Sequence, residues 1–230
     1  MNPAEATLAE QPVMQRAARE SYRVARAAAT GEEILAWAET VVEMEQEATA
    51  SHWPLTACGP GCAHCCHIPV EVSPVEVTIL HRASCLLPGY EERVRASASA
   101  DAEGRVACPL LVANRCVAYA ARPAACRGEN STSAEECAQP RGSHHYYGEV
   151  RMLSRSVIGG ATIAFGERGL DVRPLLLRRA LAEVAHLPPD EPLERWLAGE
   201  VLFSPASRMP YGRRVKSMLL QISRRKTQLT

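Results

Sequence analysis

Four cysteines fall within nine consecutive residues of this chain, and this cluster constrains its fold and chemistry more than any other feature. They follow the spacing Cys-x3-Cys-x2-Cys-Cys and are Cys58, Cys62, Cys65 and Cys66. Thiolates are soft ligands that suit zinc and iron–sulfur clusters, and two or three intervening residues let a loop or a helical turn direct two sulfur atoms at one centre. Helix-breaking residues at 59–61 favour such a loop. The segment therefore predicts a metal-binding loop.

A second group of cysteines brings the number of clustered thiols to seven. Its members are Cys108, Cys116 and Cys126. Four thiols drawn from both groups can close a tetrahedral zinc site or hold a [4Fe–4S] cluster. The adjacent side chains of Cys65 and Cys66 diverge by roughly 100° on a helix and by about 180° on a strand, so both rarely bind one mononuclear ion. One of the two is left for a second iron, a second metal ion or packing in the core, and the spacing does not choose among these.

Metal binding is preferred over disulfides because of the compartment that the N-terminus indicates. Residues 1–20 lack the basic start, apolar stretch and cleavage site of a secretory signal, which predicts a cytoplasmic protein. Thiols stay reduced in that compartment, so clustered cysteines are interpreted first as metal ligands. The longest apolar stretches, such as 157–165, are far shorter than the roughly 18 residues of a membrane span. Membrane insertion is therefore not expected.

The cysteine pattern resembles a known family. The first run is followed by Cys-Pro-x-Leu at 108–111 and by Cys-x2-Tyr-x2-Arg-Pro-x2-Cys-Arg at 116–127. This combination is similar to the YkgJ-type cysteine-cluster family, described as a zinc- or iron-chelating domain, over residues 58 to about 137. The resemblance implies that the seven clustered cysteines are chelating residues and that Arg122, Pro123 and Arg127 belong to the family's pattern. The flagellin lysine methylase carries a similar cysteine pattern, as a more distant relative of that family, and is described as holding an iron–sulfur cluster. We do not carry its methylation activity over to this chain.

Arg122 and Arg127 are candidate cofactor-binding residues. Several thiolates carry negative charge that needs compensation, and a guanidinium group beside the centre can donate hydrogen bonds to sulfur. The alternative is that both arginines form ordinary surface ion pairs. His64 and His67 flank the adjacent cysteines and are candidates for a Cys₃His zinc site, although a solvent-facing or hydrogen-bonded histidine is the more common case. Cys85 lies in a predicted apolar helix and is expected to be a small buried hydrophobe.

Helical patterns flank the cysteine-rich segment on both sides, and the predicted fold class is mainly α. Apolar residues at helical spacing predict amphipathic helices over 4–29 and 31–50. Ser73, Pro74 and Glu76 are the start signal of a helix that reaches about Leu87. Further helices are expected over 90–99, around Cys137, over 150–165, from Asp171 through Ala185, over 194–200 and over 211–224.

These patterns divide the chain into three parts. Residues 1–52 form an N-terminal helical segment, and residues 143–230 form a C-terminal helical segment. Between them, residues 53–142 form a cysteine-cluster metal-binding domain, where turn-forming residues and little periodicity predict an irregular backbone around the metal. The expected architecture is therefore an irregular cysteine-rich core between two helical flanks.

Three classes of function fit these residues. The leading hypothesis is a protein that binds an iron–sulfur cluster, in the first place [4Fe–4S], or zinc. The alternatives are a cluster-dependent enzyme for redox or alkyl-transfer chemistry and a thiol–disulfide redox protein that uses Cys65 and Cys66; no catalytic residue is assigned. The formal net charge of zero disfavours nucleic acid, although residues 201–230 are basic. Contact with an unidentified protein partner through residues 1–50 is left open.

Overall fold

A computed structural model describes residues 11–59, 61–98, 106–139 and 145–208. Within these ranges the chain forms nine α-helices and four two-residue strands. The helices are α1 Pro12–Ala27, α2 Gly31–Thr49, α3 Pro74–Ser84, α4 Tyr90–Ala98, α5 Ala124–Gly128, α6 Ala134–Ala138, α7 Gly148–Glu167, α8 Leu177–Val184 and α9 Glu191–Leu197; the strands are β1 Glu71–Val72, β2 Leu111–Val112, β3 Arg115–Cys116 and β4 Leu175–Leu176. The predicted mainly helical class is confirmed. No helix in the described ranges is long and apolar enough to cross a bilayer.

Capping boxes begin two of the predicted helices. At α2, the Glu33 N–H donates to Thr30 Oγ1 at 3.3 Å, and the Glu33 carboxylate accepts from the Thr30 N–H at 2.9 Å. At α3, the Glu76 carboxylate accepts from the Ser73 N–H at 2.8 Å, and Pro74 is the first helical residue. These bonds satisfy backbone donors that a helix leaves without an internal partner. The predicted starts of both helices are confirmed, whereas α3 ends at Ser84, earlier than predicted.

The first hydrophobic core joins α1 and α2 to α7 and α9. Phe165 lies at its centre, with its ring centroid 5.4 Å from that of Trp37 and 5.1 Å from that of Trp196, both in edge-to-face geometry. Helices α1 and α7 cross closely at Gly160. As a consequence, a Cβ atom added there would clash with the Ala18 carbonyl oxygen. Glycine is thus required at this crossing.

A second core packs the cysteine-bearing part of the chain against residues that follow α7. Strand β1 pairs antiparallel with β4, so that Val72 is opposite Leu175. Around this ladder α3, α4, α8 and the segment after α9 bury apolar side chains, among them Leu80, Val94, Leu181 and Phe203. Each of the two cores draws on more than one of the segments 1–52, 53–142 and 143–230. The cysteine-rich segment therefore packs against residues that precede it and residues that follow it in the sequence.

The start predicted for the helix over Asp171 to Ala185 is wrong, because the helix begins later. Leu175 and Leu176 form strand β4, and α8 begins after them at Leu177. Asp171 does not cap a helix but binds the guanidinium of Arg173, at 2.7 Å from Nε and 2.9 Å from Nη2. Leucines suit a strand as well as a helix in so short a run, and β1 supplies the pairing partner. The helix predicted over 194–200 is α9, and that over 211–224 lies outside the described residues, as do residues 4–10 of the first predicted helix.

His81 is a fully buried histidine of α3. Its Nε2 lies 3.1 Å from the Leu187 carbonyl oxygen, and its Nδ1 lies 3.2 Å from the Tyr90 hydroxyl. A carbonyl oxygen only accepts hydrogen bonds, so the neutral ring carries its proton on Nε2 and accepts from Tyr90. Burial lowers the pKa of His81 below its ordinary value.

Acidification is therefore expected to destabilise the fold through His81. The unfolded chain takes up this proton near the ordinary pKa of 6.5, whereas the folded chain takes it up only at lower pH. The free energy of unfolding then falls as the pH drops below about 6.5, by at most about 1.4 kcal/mol per pH unit. The variant His81→Gln can keep both hydrogen bonds and should lack this contribution. Urea unfolding at about pH 7.5 and about pH 5.5 measures it, and an unchanged pH dependence in the variant contradicts the prediction.

Candidate metal centre

The first thiol segment, residues 58–66, is a loop that ends in a 3₁₀ turn. Gly61 has a φ of +89°, which residues with a side chain rarely adopt. The N–H of Cys62 closes the loop with a 3.0 Å bond to the carbonyl three residues earlier. Cys65 and Cys66 lie on the 3₁₀ turn His64–His67, and interaction with the Cys66 thiol is the largest cause of the raised pKa of Cys65. Local hydrogen bonds and the 3₁₀ turn thus fix the backbone that carries these cysteines.

The second thiol segment, residues 108–126, combines a turn, a hairpin and a short helix. Cys116 lies on β3, opposite Leu111 of β2. The two-residue connection of this hairpin, Ala113 and Asn114, has φ values of 48° and 59°, and positive φ at both positions matches the twist of paired strands. Cys126 lies on α5. Local backbone structure therefore fixes each cysteine of this segment.

Hydrogen bonds join the two thiol segments. The Cys108 N–H donates to the Cys66 carbonyl oxygen at 2.7 Å. On the other side of the first segment, the Ser131 N–H donates to Cys58 Sγ at 3.3 Å. Helix α6, which carries Cys137, packs against the 3₁₀ turn of the first segment. The two segments and Cys137 therefore share one region of the fold.

Charge interactions connect Cys65 with thiols of both segments. Its hydrogen bond with Cys66, together with burial, raises the pKa of Cys65 well above its ordinary value. A thiolate charge on Cys65 in turn contributes to the raised pKa of five other thiols, for each of which burial is the largest cause. They are Cys58, Cys108, Cys116, Cys126 and Cys137. A negative charge on Cys65 therefore disfavours a second thiolate in either segment.

Burial disfavours thiolates throughout this region. It raises the pKa of Cys108 from 9.0 to about 11 and that of Cys137 from 9.0 to about 11. A thiol with such a pKa is protonated at neutral pH. All nine cysteines are unpaired, and each is partly exposed. Without a metal ion, the thiols of Cys108 and Cys137 are therefore neutral.

The positive charge of Arg122 acts on several of these thiols. Its charge opposes the rise in the pKa of Cys65, Cys116 and Cys126. Its guanidinium carbon lies 3.6 Å from the centre of the Tyr119 ring, and its Nε donates to the Tyr119 carbonyl at 3.2 Å. This stacking fixes a positive charge where thiolates would form.

Arg127 forms a buried ion pair. Its Nε and Nη2 donate to the Glu45 carboxylate at 2.6 and 3.0 Å, and its Nη1 donates to the Arg122 carbonyl. Burial alone would lower the pKa of Arg127, but the hydrogen bonds and charge of Glu45 raise it. The Ser154 hydroxyl also donates to Glu45, at 3.2 Å. Arg127 thus ties the turn that carries Cys126 to α2 and α7.

Glu45 and Glu76 are two residues of this region that the sequence analysis missed as site residues. Glu45 lies in the apolar stripe of α2 and is buried there with Val41. The Glu76 carboxylate accepts from the Ala124 N–H at 2.7 Å, in addition to its capping bonds. A charged residue at an apolar position of an amphipathic helix is the signal that could have identified Glu45, because an unpaired buried carboxylate is costly.

The remaining candidates lie as follows. Cys85 is half-buried at the end of α3 and packs against the second core, while its Sγ donates to the Arg82 carbonyl at 3.9 Å. His67 Nδ1 lies 3.0 Å from the Ala63 carbonyl oxygen. His64 begins the 3₁₀ turn. These contacts are those of ordinary packing and hydrogen bonding.

Across the described ranges, no three His, Cys, Asp or Glu side chains are arranged as a ready-made metal site. No protein-family model, curated protein or solved structure matches the chain. The resemblance to the YkgJ-type family thus stays a prediction that depends on the cysteine and arginine positions alone.

Proposed function

We propose that this protein binds an iron–sulfur cluster, in the first place [4Fe–4S], or zinc, through cysteine thiolates of both thiol segments. The observation that supports this most is the 2.7 Å hydrogen bond from the Cys108 N–H to the Cys66 carbonyl oxygen, which joins the two thiol segments. The two segments carry seven thiols between them, and such soft donors suit these metals. By this proposal Cys62 and Cys66 complete the set of ligands.

The chemistry of the donors fits a thiophilic cation. Buried thiols are neutral in the absence of a metal, and a bound cation stabilises the thiolates by displacing their protons. The charge of Arg122 offsets part of the negative charge of several thiolates. When bound, the metal group would supply a cross-link between the two segments. The protein's own residues supply the thiols, the neighbouring cation and the buried surroundings.

A thiol–disulfide exchange protein is a weaker proposal. Exchange needs a thiol with a depressed pKa, which is found at exposed electropositive positions. The hydrogen bond with Cys66 and burial raise the pKa of Cys65 instead. A cluster-dependent enzyme stays an extension of the leading proposal, with no catalytic residue assigned. The proposal places the chain in the reducing cytoplasm, where these thiols stay available for metal.

The protein purified without oxygen is the direct test of this proposal. Iron and acid-labile sulfide in matching amounts, with a broad visible absorption, support an iron–sulfur cluster. Stoichiometric zinc in a colourless protein supports the zinc site. Protein that is free of metal after this purification, and that neither takes up zinc nor is reconstituted with iron and sulfide, contradicts the proposal.

The variant Cys62→Ala is expected to lose the metal, whereas Cys85→Ala should retain it. Cys62 lies in the first thiol segment, and its charge acts on Cys58 and Cys137. Cys85 instead has Arg82 and Asp190 as charged neighbours. Metal per chain, measured by elemental analysis on both variants after the same purification, checks the prediction. Full metal in Cys62→Ala together with loss in Cys85→Ala would show that the ligand assignment is wrong.

A further inference from the structure

Glu76 connects the start of α3 to the second thiol segment through a single carboxylate. One oxygen, Oε2, accepts from the Ser73 N–H and the Ser73 hydroxyl, both at 2.8 Å, at the start of the helix that follows the first segment. The other oxygen, Oε1, accepts from the Ala124 N–H at 2.7 Å, two residues before Cys126. Glu76 is 8% exposed. The Glu76 carboxylate therefore fixes the backbone just before Cys126 relative to the start of α3.

A second carboxylate holds the opposite side of Cys126. Glu45 accepts two hydrogen bonds from Arg127, the residue after Cys126. Arg127 in turn donates to the carbonyl of Arg122, which fixes the backbone of the residue whose charge acts on the thiols. The side chains of Glu45 and Arg127 are 6% and 15% exposed. The turn from Arg122 to Arg127 is thus held at both ends by buried acids from α2 and α3.

We propose that Glu76 and Glu45 are positioning residues of the metal centre, which set the place of Cys126 and Arg122 before a metal binds. This inference rests on the proposed function. Neither acid reaches a thiol by a hydrogen bond of its own; both act on the backbone and on Arg127. A ligand held in place before binding loses less conformational freedom when the metal arrives, and outer partners of this kind typically change metal affinity by about 10- to 100-fold.

The test is the affinity for Co²⁺ and Zn²⁺, measured by competition with a chromophoric chelator on the full chain. Glu76→Ala removes all three hydrogen bonds of this carboxylate and should weaken the affinity by about 10- to 100-fold. Glu76→Gln retains an amide oxygen that can accept from the Ala124 N–H and should recover part of this loss. The absorption bands of bound Co²⁺ should change in Glu76→Ala, because they report the geometry of the sulfur ligands.

Two controls separate positioning from general stability. Ser73→Ala removes only the hydroxyl from the capping box and leaves the bond to Ala124 in place. Asp171→Asn weakens another buried ion pair, that with Arg173, whose acid side chain is 3% exposed. Both should leave the metal affinity within about 3-fold of the parent, which is small against the effect of an outer partner.

A double variant keeps the inference testable if Glu76→Ala does not fold. Glu45→Met with Arg127→Met replaces the buried pair by apolar groups and should keep the fold stable. It lacks the bond to the Arg122 carbonyl, so a weakened affinity in a stable fold is expected. Parent affinity in both Glu76→Ala and the double variant overturns the inference, as does an equal loss in Asp171→Asn. A parent protein that binds neither ion nor a reconstituted cluster overturns the proposed function instead.

Discussion

The variant Glu45→Ala is expected to lower the free energy of unfolding by about 3–5 kcal/mol. Removing this acid leaves the guanidinium of Arg127 buried without its charged partner, and it deprives the Ser154 hydroxyl of an acceptor. The penalty arises from the group left behind and exceeds the net contribution of the pair itself. Urea unfolding monitored by circular dichroism measures the loss, with parent and variant prepared in the same metal state.

Two comparisons make this prediction specific. Glu200→Ala breaks the exposed pair with Arg195, whose side chains are 49% and 40% exposed, and should have little effect on stability, because water and salt screen such pairs. Glu45→Met with Arg127→Met removes both buried charges and should recover most of the stability. If Glu45→Ala costs no more than Glu200→Ala, the pair is not desolvated and the assignment of a buried ion pair is wrong.

Features that depend on nearby residues were predictable from the sequence. Apolar periodicity located the long helices, and the order Ser73, Pro74 and Glu76 gave the start of α3 because a capping box is formed by residues three apart. The same reasoning placed Cys137 on a short helix, α6, where the Ser133 hydroxyl accepts from the Glu136 N–H. Local hydrogen bonds determine these elements, so the local sequence is sufficient to identify them.

Features that depend on distant partners were not predictable. Strand β4 exists because residues 71–72 pair with it, and nothing in the leucines after Asp171 indicates that partner. The Glu45–Arg127 pair joins residues 82 positions apart, and the Glu76–Ala124 bond joins residues 48 apart. The cysteine spacing predicted two groups of thiols, but it could not show that the Cys108–Cys66 backbone bond joins the segments that carry them.

The variant Gly160→Ala is expected to destabilise the protein by about 3 kcal/mol, at the upper end of ordinary overpacking. The new Cβ would meet the Ala18 carbonyl oxygen at 2.0 Å and the Tyr22 nitrogen at 3.1 Å, both of which belong to the backbone of α1. A backbone cannot rotate away as a side chain does, so α1 and α7 must separate. Their separation would also loosen the first core around Phe165. For a chain of this size the melting temperature should fall by roughly 5–10 °C.

The neighbouring glycine supplies a matched control, since the same substitution there should have the opposite sign. Gly159 lies on the same helix, and a Cβ added to it meets no atom within 4 Å. Gly159→Ala should therefore stabilise the protein by up to about 1 kcal/mol, because alanine favours a helix and loses less backbone freedom on folding. Thermal unfolding of the two variants, followed by circular dichroism, tests the pair. Since composition and helix propensity change equally in both, equal melting temperatures would contradict the close crossing of α1 and α7.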